Sequence, residues 1–185
     1  MIGTPVVGNP SVSPIMLIGQ APGIKEVDIK KPFAWTAGKT LFKWFNEIGL
    51  DETEFRQQVY MAAVCRCFPG KLAKGGDRVP DKNEIDNCSH WLQRELDILQ
   101  PQLIIPVGKL AISQFLAVDK LVEVIGKKNK ITINNRSFDC IPLPHPSGAS
   151  TWHRKQPGIA LLKKAQALIK RHPAWKSIIN QSINA

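Results

Sequence analysis

Two short loops in this sequence carry side chains able to do chemistry together. Pro144-His145-Pro146-Ser147-Gly148 holds an imidazole between two prolines, an awkward place for a core residue. An imidazole in a loop can give or take a proton near neutral pH. Far upstream, Gly19-Gln20-Ala21-Pro22-Gly23 offers closely spaced backbone amides and one neutral side-chain amide. Such an amide can orient a water molecule but cannot accept its proton. The carboxylates nearest to that loop are Glu26 and Asp28. Four cysteines, Cys65, Cys67, Cys88 and Cys140, are the other reactive groups, and their spacing matches no standard cluster pattern.

The elements around these loops explain how they would meet. Ile15 to Ile18 is a short apolar run ending at Gly19, as expected of a strand buried on both faces of a parallel sheet. After a loop bearing Pro and Gly, Leu41, Trp44, Phe45 and Ile48 recur at helical spacing until Gly49. Asp51 with Glu54, and Asp81 with Glu84, read as capping boxes opening two further helices, the second ended by Pro101. Val59 to Val64 and Leu103 to Val107 are strand candidates. Between the first of these and the Asp81 helix lies a long basic loop, Phe68 to Val79. Gly108 starts a helix, Ile131 to Ile133 and Phe138 to Leu143 flank Asn134-Asn135 like a hairpin, and the tail is helical and basic.

Strands alternating with helices predict an α/β fold, a three-layer α/β/α sandwich around a short, mainly parallel four-stranded sheet. Ligands in such folds bind beyond the carboxyl ends of the strands. Both loops follow strand candidates, so one crevice would receive them. Residues 1–14, mixing Gly, Pro, Ser and Val without period, are expected to form an arm without regular structure, and 15–185 a single domain.

Composition narrows the partners. The 185 residues carry 25 Lys and Arg against 15 Asp and Glu, a net charge of +10, which favours a polyanion such as nucleic acid. Neither a signal peptide nor a membrane-spanning run is apparent, so a cytoplasmic, monomeric protein is expected. In that compartment the cysteines read as buried thiols before disulfides.

The paired loops resemble those of the uracil-DNA glycosylase superfamily, and within it family 4, the iron–sulfur branch. That family has a strand, a Gly-Glu-Ala-Pro-Gly loop, eight residues, Pro-Phe, then a small Ala-Gly pair opening a helix. This chain reads Gly19 to Gly23, eight residues, Pro32-Phe33 and Ala37-Gly38 without a gap, and His145-Pro146-Ser147-Gly148 matches the family's late His-Pro-Ser loop. Pro80 to Pro106 is also similar to the family's long helix and next strand, so the likeness covers about 15 to 155. It implies hydrolysis of the N-glycosidic bond of uracil or another deaminated base flipped out of DNA, in base excision repair. By the same resemblance His145 donates to the departing base, Phe33 stacks on it, and Gly19, Gln20, Ala21, Pro22 and Gly23 contact its edge. Pro146, Ser147, Gly148, Ser150, Trp152 and Arg154 would meet the DNA strand.

Three positions depart from the pattern, and a fourth, Gly23, bears on selectivity. Gln20 stands where family 4 has glutamate, and other branches place aspartate where this chain has Ala21. Ala63 replaces an asparagine that reads uracil, and Gly23 replaces a tyrosine that excludes thymine in the most selective relatives. Among the remaining carboxylates Glu26, which matches an acidic position of the family loop, is the favoured water-orienting group. The cluster's N-terminal Cys-x-x-Cys has no counterpart before Cys65, although Cys67 and Cys88 match its later pair. No metal or other cofactor is therefore expected. A catalytically inactive member binding DNA or a damaged base is the alternative, motivated by Gln20, Ala21 and Ala63. A small-molecule nucleoside hydrolase is a third reading and fits the charge less well.

Overall fold

The computed structural model describes residues 3–183 of the chain. Met1 and Ile2 of the expected arm, and Asn184 and Ala185 of the expected domain, lie outside the described residues. The strands are β1 (Ile15–Gly19), β2 (Tyr60–Ala63), β3 (Leu103–Pro106), β4 (Asn129–Ile133) and β5 (Arg136–Cys140). The helices are α1 (Ile24–Ile29), α2 (Thr36–Asn46), α3 (Glu52–Gln58), α4 (Lys82–Leu99), α5 (Lys109–Ser113), α6 (Gly158–Arg171) and α7 (Pro173–Ile183).

One sheet organises them, in the order β2-β1-β3-β5-β4. The first three pairings are parallel and β4 runs antiparallel to β5. The sheet thus has five strands rather than the four expected. The hairpin supplies the fifth: Asn134 and Asn135 take φ of 49° and 60°, a turn that folds β4 straight back onto β5. Asn tolerates that left-handed backbone better than other non-glycine residues.

Strand periodicity sorts the core into two layers. Ile15 and Leu17 of β1, with Leu103 and Ile105 of β3, pack against Leu41 and Phe45 of α2, Phe55 of α3, Leu162 of α6 and Trp175 of α7. Met16, Ile18 and Ile104 face the other way, onto Leu92 and Leu96 of α4 and Ala111 of α5. Every residue of β1 and β3 is buried, as a strand covered on both faces requires. This is the expected three-layer sandwich.

Both expected capping boxes form: Asp51 Oδ1 accepts from Glu54 N at 2.9 Å, and Asp81 Oδ1 from Glu84 N at 2.9 Å. A helix not expected from periodicity, α1, follows Gly23. None of its six residues is fully buried, so no apolar stripe announced it. Lys163, Lys164, Lys170 and Arg171 lie exposed on α6, opposite its buried face.

Residues 3–14 carry no helix or strand but are not loose. Val6 and Ser13 are buried, the Val6 N–H donates to Arg66 O at 2.8 Å, and Asn9 Nδ2 donates to Arg56 O at 3.3 Å. No helix among the described residues is long and apolar enough to cross a membrane.

Candidate active site

The carboxyl ends of β1, β2 and β3 point the same way, and those of β1 and β2 open into one cavity. Gly19, the last residue of β1, pairs with Ala63, the last of β2. Beyond them Gly19 O accepts from Val64 N and Gln20 O from Cys65 N, both at 3.0 Å. After β3 the ladder continues as a parallel bridge between Val107 and Leu143, and Gly108 N donates to Leu143 O at 2.9 Å. That bridge carries residues 144–148 to the mouth of the loop that leaves β1. A cavity of about 410 Å³ lies between them, large enough for a nucleobase.

Gly19, Gln20, Ala21, Pro22, Gly23, Glu26, Phe33, Ala63, His145 and Ser147 all line this cavity. Two loops more than a hundred residues apart therefore share one space. The remaining DNA-contact candidates stand outside it. Pro146 is buried, Gly148 and Arg154 are exposed, and Trp152 is half-buried against the α2–α6 core. Arg154 instead borders a second, shallower groove with Lys39, Lys43 and Lys163.

The imidazole of His145 is set by its own loop. Ser147 N donates to His145 Nδ1 at 3.2 Å, so in the neutral ring the proton sits on Nε2, which remains a donor. Gly108, at φ +86°, makes room for the ring. A Cβ there would come within 2.8 Å of His145 Cδ2. Burial, and secondarily His153 behind it, holds His145 below its ordinary value of 6.5. His153 is itself buried, edge-on to Trp44 at 5.1 Å.

A lowered histidine has a definite consequence for stability. The unfolded chain binds protons at this position that the folded protein refuses, so its contribution is complete above pH 6.5 and is lost as pH falls from there through the depressed folded value. The melting temperature is therefore expected to drop between about pH 7.5 and about pH 5, and His145→Ala to flatten that slope. An unchanged slope in the variant would contradict the half-buried, neutral ring.

Phe33 is held by a clamp the sequence did not reveal. Its φ is +52°, an uncommon and strained conformation for an aromatic residue. The buried Arg56 of α3 supports it: Nη1 donates to Pro32 O at 2.8 Å and Nη2 to Phe33 O at 3.1 Å. The same guanidinium bonds Glu52 at 2.8 Å and lies 4.4 Å over the Phe42 ring. The Phe33 ring is pressed on Gly19, where a Cβ would meet it at 3.0 Å.

Glu26 is part of the wall, and its carboxylate is already engaged. Oε2 accepts from Gly23 N at 2.7 Å, capping α1. Burial pushes the group above its ordinary value, against backbone hydrogen bonds from Gly23 and Phe33 and with Asp77 nearby adding to the rise. Trp35, for which pocket lining and core packing were equally open readings, lines the cavity too, and Val6, Met61, Asp77 and Arg78 do so without having been anticipated. For Asp77 a signal existed: it is the one acid in the basic loop from Phe68 to Val79.

The family's iron–sulfur cluster needs four thiolates. Burial pushes Cys65 up to about 12, with Cys88 beside it adding to the rise, and burial does the same to Cys140. Cys65 Sγ donates to Glu84 O at 3.6 Å. Among the described residues no three His, Cys, Asp or Glu side chains converge as a metal ion would require. These thiols do not fit a cluster, and no catalytic step is assigned to one.

With this geometry in place, the similarities have a meaning. Residues 5–172 match the Uracil DNA glycosylase superfamily. The chain is 30% identical over 141 residues to a type-4 uracil-DNA glycosylase of Sulfurisphaera tokodaii, covering 73% of this chain and 60% of that one. It is 35% identical over 148 residues to one of Saccharolobus solfataricus, 77% and 64% covered, and 31% identical over 150 residues to one of Archaeoglobus fulgidus, 77% and 69% covered. The chain thus spans between three fifths and about two thirds of the length of these relatives. A match over nearly the whole chain, on the sheet and loops that build the cavity, shows that the protein belongs to the uracil-DNA glycosylase superfamily.

Proposed function

We propose that the protein is a DNA glycosylase that hydrolyses the N-glycosidic bond of uracil, or a closely related deaminated base, extruded from DNA. The observation that carries this reading is the shared cavity, in which His145 and Phe33 face a space of nucleobase size. Relatives named type-4 uracil-DNA glycosylases support uracil as the base, and the net charge of +10 suits a phosphate backbone.

In this reading the base pays a few kcal/mol to leave the stack, offset by contact with Phe33 and by the amides of Gln20 to Gly23. As the glycosidic bond lengthens, the sugar gains oxocarbenium character and the base departs as an anion. The Nε2–H of a neutral His145 donates to the base oxygen where that charge gathers. Ser147, Ser150 and Arg154 meet phosphate oxygens of the flanking strand. Residues 15–185 act as one domain, with 3–14 laid against it, in a monomeric, cytoplasmic protein that uses no metal.

Incubation with oligonucleotides carrying uracil, hypoxanthine or xanthine, followed by alkali cleavage of abasic sites, tests the proposal. Strand breakage at uracil is expected. Salt-sensitive DNA binding without breakage at any lesion would instead mark an inactive binder.

A further inference from the structure

Among the described residues, two carboxylates line the cavity, Glu26 and Asp77. Gln20 contributes only an amide, so a proton acceptor for water must be one of these two, or His145. The imidazole Nδ1 already accepts from Ser147 N, and its Nε2 carries the proton. Glu26 spends its carboxylate on Gly23 N at 2.7 Å, and the backbone of Phe33 and Ala34 adds to what favours its charged form. That carboxylate thus braces the loop after β1 where it enters α1.

Asp77 differs on each count. It arrives on the turn 70–78, closed by an antiparallel bridge between Lys71 and Asp77 and by Leu72 N to Gly76 O and Arg78 N to Gly70 O, each 2.9 Å. The next residue anchors that turn: Arg78 grips Glu84 of α4 with both terminal nitrogens, at 2.5 and 2.7 Å. That guanidinium is therefore committed elsewhere, and no hydrogen bond or ion pair among the described residues engages the Asp77 carboxylate. Its Oδ2 stands 2.6 Å from the point a Cβ on Gly23 would occupy, and the Glu26 carboxylate 3.8 Å from the same point. The missing side chain at Gly23 is what leaves room for the acid.

We propose that Asp77 is the catalytic carboxylate that accepts the proton of the attacking water, delivered into the cavity by the 70–78 turn in place of an acid on the loop after β1. The assignment rests on the glycosylase reading above. An oxygen lone pair of water forms the new bond to C1′ while the C1′–N bond breaks. The electrons of that bond leave with the base, which departs as an anion bonded to His145 Nε2–H. The proton lost by the water passes to Asp77 and then to solvent, and the base anion takes up a proton from solvent. The negative charge of Asp77 also opposes the positive charge that builds on the sugar.

Single-turnover release of uracil, together with affinity for an oligonucleotide carrying an uncleavable 2′-fluoro-deoxyuridine, provides the test. Asp77→Asn is expected to cut the rate at least about 100-fold, the lower range for loss of a general base, with affinity within about threefold of wild type. Glu26→Gln, a brace rather than the acceptor, is expected to lose less rate than Asp77→Asn while lowering the melting temperature. An active wild type with an equally fast Asp77→Asn variant would overturn this inference alone. A larger rate loss in Glu26→Gln than in Asp77→Asn would return the role to Glu26. A wild type inert on uracil, hypoxanthine and xanthine would overturn the glycosylase reading and this assignment with it.

Discussion

Replacing His145 with alanine is expected to slow base release by about 100- to 1,000-fold while leaving DNA affinity nearly unchanged. The size follows from what is lost. A single preorganised donor aimed at developing negative charge contributes about 3–4 kcal/mol in a water-poor site. His145 has the features such a donor needs: a half-buried ring, a fixed tautomer through Ser147 N, and a place on the cavity wall. It touches the base rather than the backbone, so the ground-state complex loses little. Equal losses of turnover and affinity, measured by single-turnover kinetics and by titration of an uncleavable oligonucleotide, would show that the ring binds DNA generally and does not meet the leaving group.

Gly38→Ala is expected to be the most damaging small substitution near the site. Alanine inside a helix usually gains about 0.5–1 kcal/mol over glycine. Here a Cβ would fall 1.7 Å from Phe33 O and 2.6 Å from its carbonyl carbon. Those atoms are backbone, and Arg56 holds the same oxygen at 3.1 Å, so they cannot swing aside. Overpacking commonly costs about 1–3 kcal/mol, and a clash with a pinned carbonyl belongs at or above the top of that range. The strain exceeds the propensity gain. For a chain of this size about 3 kcal/mol lowers the melting temperature by roughly 6–12 °C. Base release should also fall about tenfold or more, because relief of the clash moves the ring stacked on Gly19. A variant that melts at or above the wild-type temperature would show that the 32–38 segment has slack the present packing denies.

The parts of the site that the sequence made legible are those encoded locally. Residues 19–23 and 144–148 carry their glycines, prolines and histidine within five positions each, and strand periodicity alone places both at one end of a sheet. The central strands were equally readable, since Ile15 to Ile18 and Leu103 to Val107 are apolar throughout. The fifth strand was present as a hairpin signal but not counted into the sheet, because Asn129–Ile133 buries only Ile131 fully and reads as half-exposed. Arg56 was invisible for a different reason. Nothing in a seven-residue polar helix announces that one arginine will reach back more than twenty positions to two carbonyls. Asp77 lay in a segment read as a loose basic loop, and its placement depends on the grip of Arg78 on Glu84, a contact that follows no period. The departures at Gln20, Ala21 and Ala63 were plain in the sequence. What they implied was not, since a lost acid can be replaced from a loop that no motif links to it.

The stretch ahead of β1 has a consequence for how the molecule behaves in company. β2 is the last strand on its side of the sheet, and a strand so placed offers unpaired amides to any other chain that drifts alongside. Gly8 lies so near Met61 of β2 that a Cβ would stand 3.0 Å from the Met61 side chain and 3.1 Å from its carbonyl oxygen, while Val6 ties itself to Arg66 just beyond the strand. These few residues act as a guard rail along the flank, denying strangers a template for cross-strand recruitment, and Val6 at the same time closes one wall of the cavity.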